Sequence, residues 1–464
     1  MPVTAGKLCQ AMDGKLVRDV DNTVIKGVMC KCSRVVPGLL YFDVKGGRGG
    51  DRNILEAIQN GATGVVVSKY KRVLPFDDKN IVVISVPKVW QAFWQSLSFY
   101  RDLYDVPVVA VTGTSGKTTT KEMIASIFRL RWKTLKTVGN MNLPDFLPTH
   151  IMRLKWGYQA AVFEIGMNRP GHVSKQAKIV RPKVAIITNI GTGHIEHLGS
   201  PENVILEKAG IIQGIPDNGY LILNADDPST GKIDISEFKG QIIYYGLDNK
   251  ADFMAENITY TDKGIYFSTM IRNKNYRFYV PTFGRHNVYN ALAAIAAATI
   301  FEFDPKTILH GLGSYIKPHM RLQIVRGPKN STLINDTYNA NPDSMIAGLE
   351  VLSTLSQGKT SVAVLGNMLE QGRYARESHR KVGQKAAELK VDWLITVGRL
   401  AKEIANGAIS NTNEMKIRSF TLKNQALNFL KNNLPGHSVV LFKGSRGAYM
   451  EQLVRRLRDE QCGV

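Results

Sequence analysis

The segment Gly113-Thr114-Ser115-Gly116-Lys117-Thr118-Thr119-Thr120 combines two glycines, one lysine and a run of hydroxyls. Those residue types in that order suit phosphate. Backbone N–H groups approach phosphate oxygens closely where no side chain intervenes, which Gly113 and Gly116 permit. Lys117 supplies a point charge for β- and γ-phosphates, and the Thr118 hydroxyl is a ligand for Mg²⁺. The longer pattern G-x-x-x-x-G-K-[ST] needs glycine at position 111, where this chain has Val111, so the loop is the compact form G-x-x-G-K-T. A glycine turn capped by threonines is the plainer reading. Lys117 and three threonines in this setting outweigh it.

Such a loop needs a strand before it and a helix after it. Residues 108–112 are an apolar run that reads as a strand, and residues 121–130 carry an amphipathic helical pattern. Further strand runs at 160–165, 184–188 and 220–223 alternate with helical patterns, including 286–300, which predicts a largely parallel sheet. Glu164 ends one of these buried runs. A carboxylate at the carboxyl end of a parallel strand stands where such sheets bind ligands. Strands at 65–67 and 81–84 predict a small α/β unit before Pro107, and strands at 332–334, 361–365, 393–397 and 439–442 predict a third after Lys317-Pro318. The chain therefore reads as α/β with three domains, at 1–106, 107–315 and 316–464. A length of 464 residues is too great for one ordinary core.

Composition narrows the function classes. No window approaches ~18 consecutive apolar residues, and residues 1–7 lack the apolar core of a signal peptide, so cytoplasmic residence is the default. Cys9, Cys30, Cys32 and Cys462 are too few for a disulfide scaffold; Cys30-x-Cys32 has no second Cys/His pair nearby and reads as ordinary reduced thiols. The formal net charge of +21 attracts polyanions. The excess is scattered, without finger spacing or a basic block, so phosphorylated small molecules are the expected partners and nucleic acid is not.

Several longer stretches carry a resemblance. They are Asn335-Asp336-Thr337-Tyr338-Asn339-Ala340-Asn341-Pro342-Asp343-Ser344-Met345, Gly284-Arg285-His286-Asn287-Val288-Tyr289-Asn290-Ala291 and Asn224-Ala225-Asp226-Asp227-Pro228. Val364-Leu365-Gly366-Asn367-Met368-Leu369-Glu370 and Phe442-Lys443-Gly444-Ser445-Arg446-Gly447 add to them. With the loop, they resemble the Mur ligases of bacterial cell-wall synthesis over nearly the whole chain. The stretch at 335–345 is most similar to members that add D-alanyl-D-alanine to a UDP-muramoyl-tripeptide. The resemblance implies a UDP-substrate-binding N-terminal domain, a central ATPase and a Rossmann-like C-terminal domain. It implies ATP-driven amide formation through an acyl phosphate, with a UDP-linked muramoyl peptide and a dipeptide as substrates and a monomeric enzyme. It further implies two Mg²⁺ ions held by Thr118, Glu164, His194 and Lys208, the last as a carbamate. Residues 113–119 with Asn287, Arg321 and Asp336 would bind ATP, Lys117, His194, Lys208 and Arg321 would serve catalysis, and Asn339 and Asn341 would shape the acceptor loop. His197 is set aside as structural.

The resemblance weakens in three places. The family's G-N-x-N-N-x-x-G-x-P is here Gly139-Asn140-Met141-Asn142-Leu143-Pro144-Asp145-Phe146-Leu147-Pro148: Asn140 and Asn142 remain, but Leu143 replaces an asparagine and Phe146 a glycine. The N-terminal D-S-R is Cys32-Ser33-Arg34, keeping Ser33, and Asn367 stands where aspartate is common. ATP segments are intact and substrate segments altered. Three readings follow: the cell-wall ligase, a paralogue using another carboxylate, and an idle nucleotide-binding module.

Overall fold

A computed structural model of the chain describes residues 3–20, 23–71, 73–193, 195–412 and 414–459; His194 and Cys462 lie outside these. Four sheets organise it. The first has the order Lys15–Arg18, Val82–Val86, Gly64–Ser68, Leu39–Phe42, Gly27–Met29, parallel except for the antiparallel first strand. The second is a seven-stranded parallel sheet with Val108–Thr112 in its interior, flanked by Val184–Ile187 and Ala160–Glu164. The last is six-stranded and parallel but for its edge strand Gln323–Arg326; Val439–Lys443 lies between Thr332–Asp336 and Ser361–Gly366.

These strands form because their residues are apolar throughout. Val108–Thr112, Ala160–Glu164 and Val439–Lys443 are buried at every position, as strands covered by helices on both faces must be. Three expectations were incomplete. The helix after the loop begins at Lys117 rather than 121. A small antiparallel sheet, Glu256–Tyr260, Ile265–Ile271 and Lys274–Val280, was not foreseen inside the central region. Its strands alternate in burial or lie mostly exposed, so no continuous apolar run marks them. The polar edge strand Lys416–Phe420 was missed for the same reason.

The first two sheets share one apolar cluster, which runs from Leu8, Phe93 and Leu97 across to Ile151, Val173 and Val180. Arg101 fastens that junction. Its buried guanidinium donates to the carbonyls of Val180 at 3.0 Å and Val106 at 2.9 Å. The six-stranded sheet has its own clusters on its two faces.

In the seven-stranded sheet the chain leaves Val108–Thr112 and returns on both sides of it. Such a reversal of strand order opens a crevice at the carboxyl ends. Three neighbouring ends point there, carrying Gly113, Glu164 and Thr188. The C-terminal sheet presents the ends of two of its central strands, at Asp336 and Lys443, to the same space.

Candidate active site

The loop leaves its strand at Gly113 with φ +144° and enters the helix Lys117–Phe128 through Gly116 with φ +83°. Side chains rarely adopt either value. A Cβ at Gly113 would collide with the Thr188 hydroxyl, and one at Gly116 with the Asn290 amide oxygen. The adjacent strand end holds the loop from outside. Asn189 Oδ1 accepts from Ser115 N–H at 2.9 Å, and the carbonyl of Ser115 accepts from Asn189 Nδ2 at 3.1 Å and from Thr188 Oγ1 at 2.6 Å. Lys117 folds back on its own loop, donating to the carbonyls of Gly113 at 2.7 Å and Thr114 at 3.1 Å. Burial lowers the Lys117 ammonium to about 8; Glu164 opposes this, Arg321 adds to it and Glu370 opposes it.

Glu164 is almost wholly buried. Its Oε1 accepts from the Thr118 hydroxyl at 3.1 Å and from Asn142 Nδ2 at 2.7 Å. Its Oε2 has no hydrogen-bond partner among the described residues and lies 3.4 Å from Lys121 Nζ. Among the described residues no three His, Cys, Asp or Glu side chains gather as a ligand set. The buried hydroxyl–carboxylate pair of Thr118 and Glu164 is what stands beside the phosphate loop.

The C-terminal unit reaches this loop directly. Arg321 Nη2 donates to Thr118 Oγ1 at 3.3 Å, and its guanidinium lies 4.4 Å from the Tyr338 ring centroid. Its Nε is buried and lacks a hydrogen-bond partner among the described residues. Arg321 is thus no solvated linker residue. Asn341 caps the helix Pro342–Leu355 and also donates from Nδ2 to Ser115 Oγ at 3.0 Å. Asp336 forms an ion pair with Lys443 and accepts from Leu322 N–H at 3.2 Å.

These groups surround one cavity of about 550 Å³. From the candidate residues, Thr114 to Thr119, Asn140, Asn142, Glu164, Asn287, Arg321, Asp336, Asn339 and Asn341 line it. Asn287 does so with its amide already engaged, donating to the Phe283 carbonyl at 2.7 Å and accepting from Asn290 Nδ2 at 2.9 Å. Lys208 is 1% exposed, and among the described residues its ammonium makes no hydrogen bond or ion pair. Burial and then nearby Lys117 hold its pKa well below the ordinary lysine value, with Glu207 opposing. Lys208 is therefore not a helix-surface lysine.

Two candidates stand apart. Ser33 is exposed and does not line the cavity. His194 lies outside the described residues. Conversely, His197, set aside as structural, lines the cavity. So do Asn189, Tyr315, Lys443 and Arg446, which were not singled out. Lys443 and Arg446 fall inside a quoted motif, and Asn189 follows directly on the strand run at 184–188. Position at a strand's carboxyl end was the usable signal. The cations Lys117, Arg321, Lys443 and Arg446 on one wall system suit a polyanion bound against the loop.

The two altered segments meet each other. Lys31 Nζ pairs with Asp145 at 2.8 Å, and the Arg34 guanidinium stacks on the Phe146 ring at 4.2 Å. Phe146 and Leu143 also line the cavity.

Comparison with known proteins places this geometry. The family "Mur ligase middle domain" matches residues 111–298, and "Mur ligase, glutamate ligase domain" matches residues 320–446. The UDP-N-acetylmuramoyl-tripeptide–D-alanyl-D-alanine ligase of Bacillus subtilis is 31% identical, covering 98% of each chain. That of Escherichia coli is likewise 31% identical over 98% of each. The crystal structure of MurF from Acinetobacter baumannii superposes with a TM-score of 0.87 at 31% identity, covering 98% of this chain and 99% of that one. The ADP complex of MurF from Thermotoga maritima, at 23% identity, shares the fold with a TM-score of 0.80 over 95% of this chain and 99% of that one.

Proposed function

The chain belongs to the Mur ligase family of ATP-dependent ligases, and from that premise we propose that it joins D-alanyl-D-alanine to a UDP-N-acetylmuramoyl-tripeptide in peptidoglycan precursor synthesis. One observation carries the reading: Lys117 and Thr118 on a helix, Glu164 at a strand end and Arg321 just before the strand Gln323–Arg326 face a single cavity.

A carboxylate is a poor acyl donor, because its charge repels nucleophiles and oxide leaves badly. In the proposed reaction a carboxylate oxygen of the tripeptide attacks the γ-phosphorus of ATP, the bond to ADP breaks, and an acyl phosphate forms. The dipeptide amine then attacks the acyl carbon. Phosphate departs with the electron pair of the broken C–O bond, and the amine gives up a proton. The loop amides at 113–118 and Lys117 hold the β- and γ-phosphates, and Arg321 offsets charge on the transferring group. Asn287 and Asp336 flank the nucleotide. Asn140, Asn142, Asn339 and Asn341 orient the reacting carboxylate and amine, with Ser33 further out on the UDP side.

The Thr118–Glu164 pair fits Mg²⁺: a hydroxyl and a carboxylate oxygen 3.1 Å apart, with the second carboxylate oxygen lacking a hydrogen bond among the described residues. These residues would hold Mg²⁺, which would supply positive charge to offset that of the phosphates. His194 and Lys208 would hold a second ion. Lys208 suits carbamylation because its burial favours the neutral amine that adds to CO₂. We take the enzyme to be a monomer, divided near residues 106 and 315, and to work in the cytoplasm where ATP and UDP-linked precursors occur.

A second reading has its own observation. Leu143 and Phe146 depart from the family pattern and line the cavity, and Phe146 packs on Arg34. That favours a paralogue whose acid differs from the muramoyl tripeptide. ATP-dependent phosphate release across a panel of UDP-linked acids separates the two. Release requiring both the UDP-muramoyl-tripeptide and D-alanyl-D-alanine is the expected result. Turnover with another acid alone would establish the second reading in its place.

A further inference from the structure

Lys121 is fully buried, at 0% exposure, one helical turn beyond Lys117. Its ammonium donates to the carbonyls of Thr137 and Gly139, both at 3.0 Å. It also lies 3.2 Å from Glu122 Oε1 and 3.4 Å from Glu164 Oε2. An ammonium has three donors, and here four oxygens crowd around it. A lysine so placed is costly to bury, and a buried ion pair is a weak source of stability compared with well-packed apolar groups. Its placement accounts for something else. It joins three pieces: the helix that carries the phosphate loop, the segment leading to Asn140 and Asn142, and the strand end bearing Glu164.

We infer that Lys121 is a positioning residue for the phosphate-transfer site, holding Glu164 by its outer oxygen so that the inner one faces Thr118. A carboxylate on a free side chain rotates, but one whose Oε2 is drawn to an ammonium 3.4 Å away by charge alone, without a hydrogen bond, is biased to present Oε1 in one direction. Oε1 is the oxygen that Thr118 and Asn142 reach at 3.1 and 2.7 Å. The two carbonyl bonds act on the same group from the other side: they tie residues 137–139 to the helix, and the Asn142 amide arrives at Glu164 already aligned. Lys121 touches no substrate; it works through Glu164 and Asn142. The inference rests on the proposal that Thr118 and Glu164 hold Mg²⁺ beside the phosphates.

The test measures ADP affinity by calorimetry, with Mg²⁺ and with EDTA, for the wild type, Lys121→Met, Glu164→Gln and the double variant. Loss of an outer partner of a metal ligand typically costs about 10- to 100-fold in metal affinity. Lys121→Met is therefore expected to weaken ADP binding about tenfold with Mg²⁺ and by less than about twofold in EDTA. KM for ATP should rise in step. The double variant should bind no more weakly than Glu164→Gln alone, because Lys121 acts through that carboxylate. Equal losses with and without Mg²⁺, or losses that add in the double variant, overturn the inference and leave the Mg²⁺ reading standing. Wild-type binding that ignores Mg²⁺ overturns both. Should Lys121→Met fail to fold, the ¹⁵N ammonium resonance of Lys121 decides: it is expected to shift in Glu164→Gln, and an unmoved resonance overturns the inference.

Discussion

The phosphate end and the substrate end of the one cavity are built on different principles. At the proposed phosphate end, backbone geometry sets the shape. Gly113 and Gly116 take φ values that side chains rarely adopt, and Thr188, Asn189 and Asn290 crowd the space that a Cβ would need. At the other end, side chains do it: Arg34 stacked on Phe146, Lys31 paired with Asp145, Leu143 facing the cavity. Backbone geometry tolerates almost no substitution, whereas a side-chain wall is re-cut one residue at a time. The family's pattern is intact at the first end and altered at the second, as that contrast requires.

Four measurements break or sharpen the contrast. The largest effect belongs to Lys117→Ala, which should lower kcat for phosphate release by about 10³-fold without loss of fold. Full activity in that variant would remove the phosphate end from the mechanism. Arg321→Ala follows. It should cost about 10²-fold in kcat and leave ADP affinity nearly unchanged, if Arg321 serves the transferring group more than the bound nucleotide. A rise in Kd for ADP as large as the fall in kcat would contradict that role.

The third is a pH dependence. Burial holds Lys117 at about 8, so its charge is present below that pH and lost as pH rises through it. Bound phosphates restore the proton. ADP affinity should thus be flat up to about pH 8 and then fall by up to about tenfold per unit. Lys117→Met should be weaker throughout and flat, and a wild type that is also flat to pH 9.5 would refute the assignment. The smallest effect is at the other end. Phe146→Gly removes a cation–aromatic contact and should change KM for the carboxylate substrate about fivefold, with less than about twofold change in KM for ATP. An equal change in both would mean that the two ends are not separable.

The sequence made the phosphate end legible because its chemistry is local. Glycines, lysine and threonines sit together between a strand and a helix, and Glu164 is betrayed by the apolar run that it ends. Arg321, Asn339 and Asn341 required resemblance, since nothing local says that a residue beyond 315 touches Thr118. Asn189 and the Asp336–Lys443 pair were missed because each works by meeting residues far along the chain. His197 was dismissed as a lone histidine, and only the fold brings it to the cavity. In the fold, the longer buried parallel strands of the central and C-terminal sheets declared themselves; the short Gly27–Met29 and Leu39–Phe42 did not, and neither did the antiparallel strands 256–280, whose half-exposed residues dilute their pattern.

Lys117 donates to the Gly113 and Thr114 carbonyls of its own loop. Capture of a triphosphate is therefore an exchange of partners, oxygen for oxygen, and its net yield is smaller than a bare ammonium meeting a phosphate would give. The same exchange runs backwards at the end of each cycle. A departing ADP leaves behind no stranded cation, so the loop empties without a penalty that would otherwise slow the next turnover.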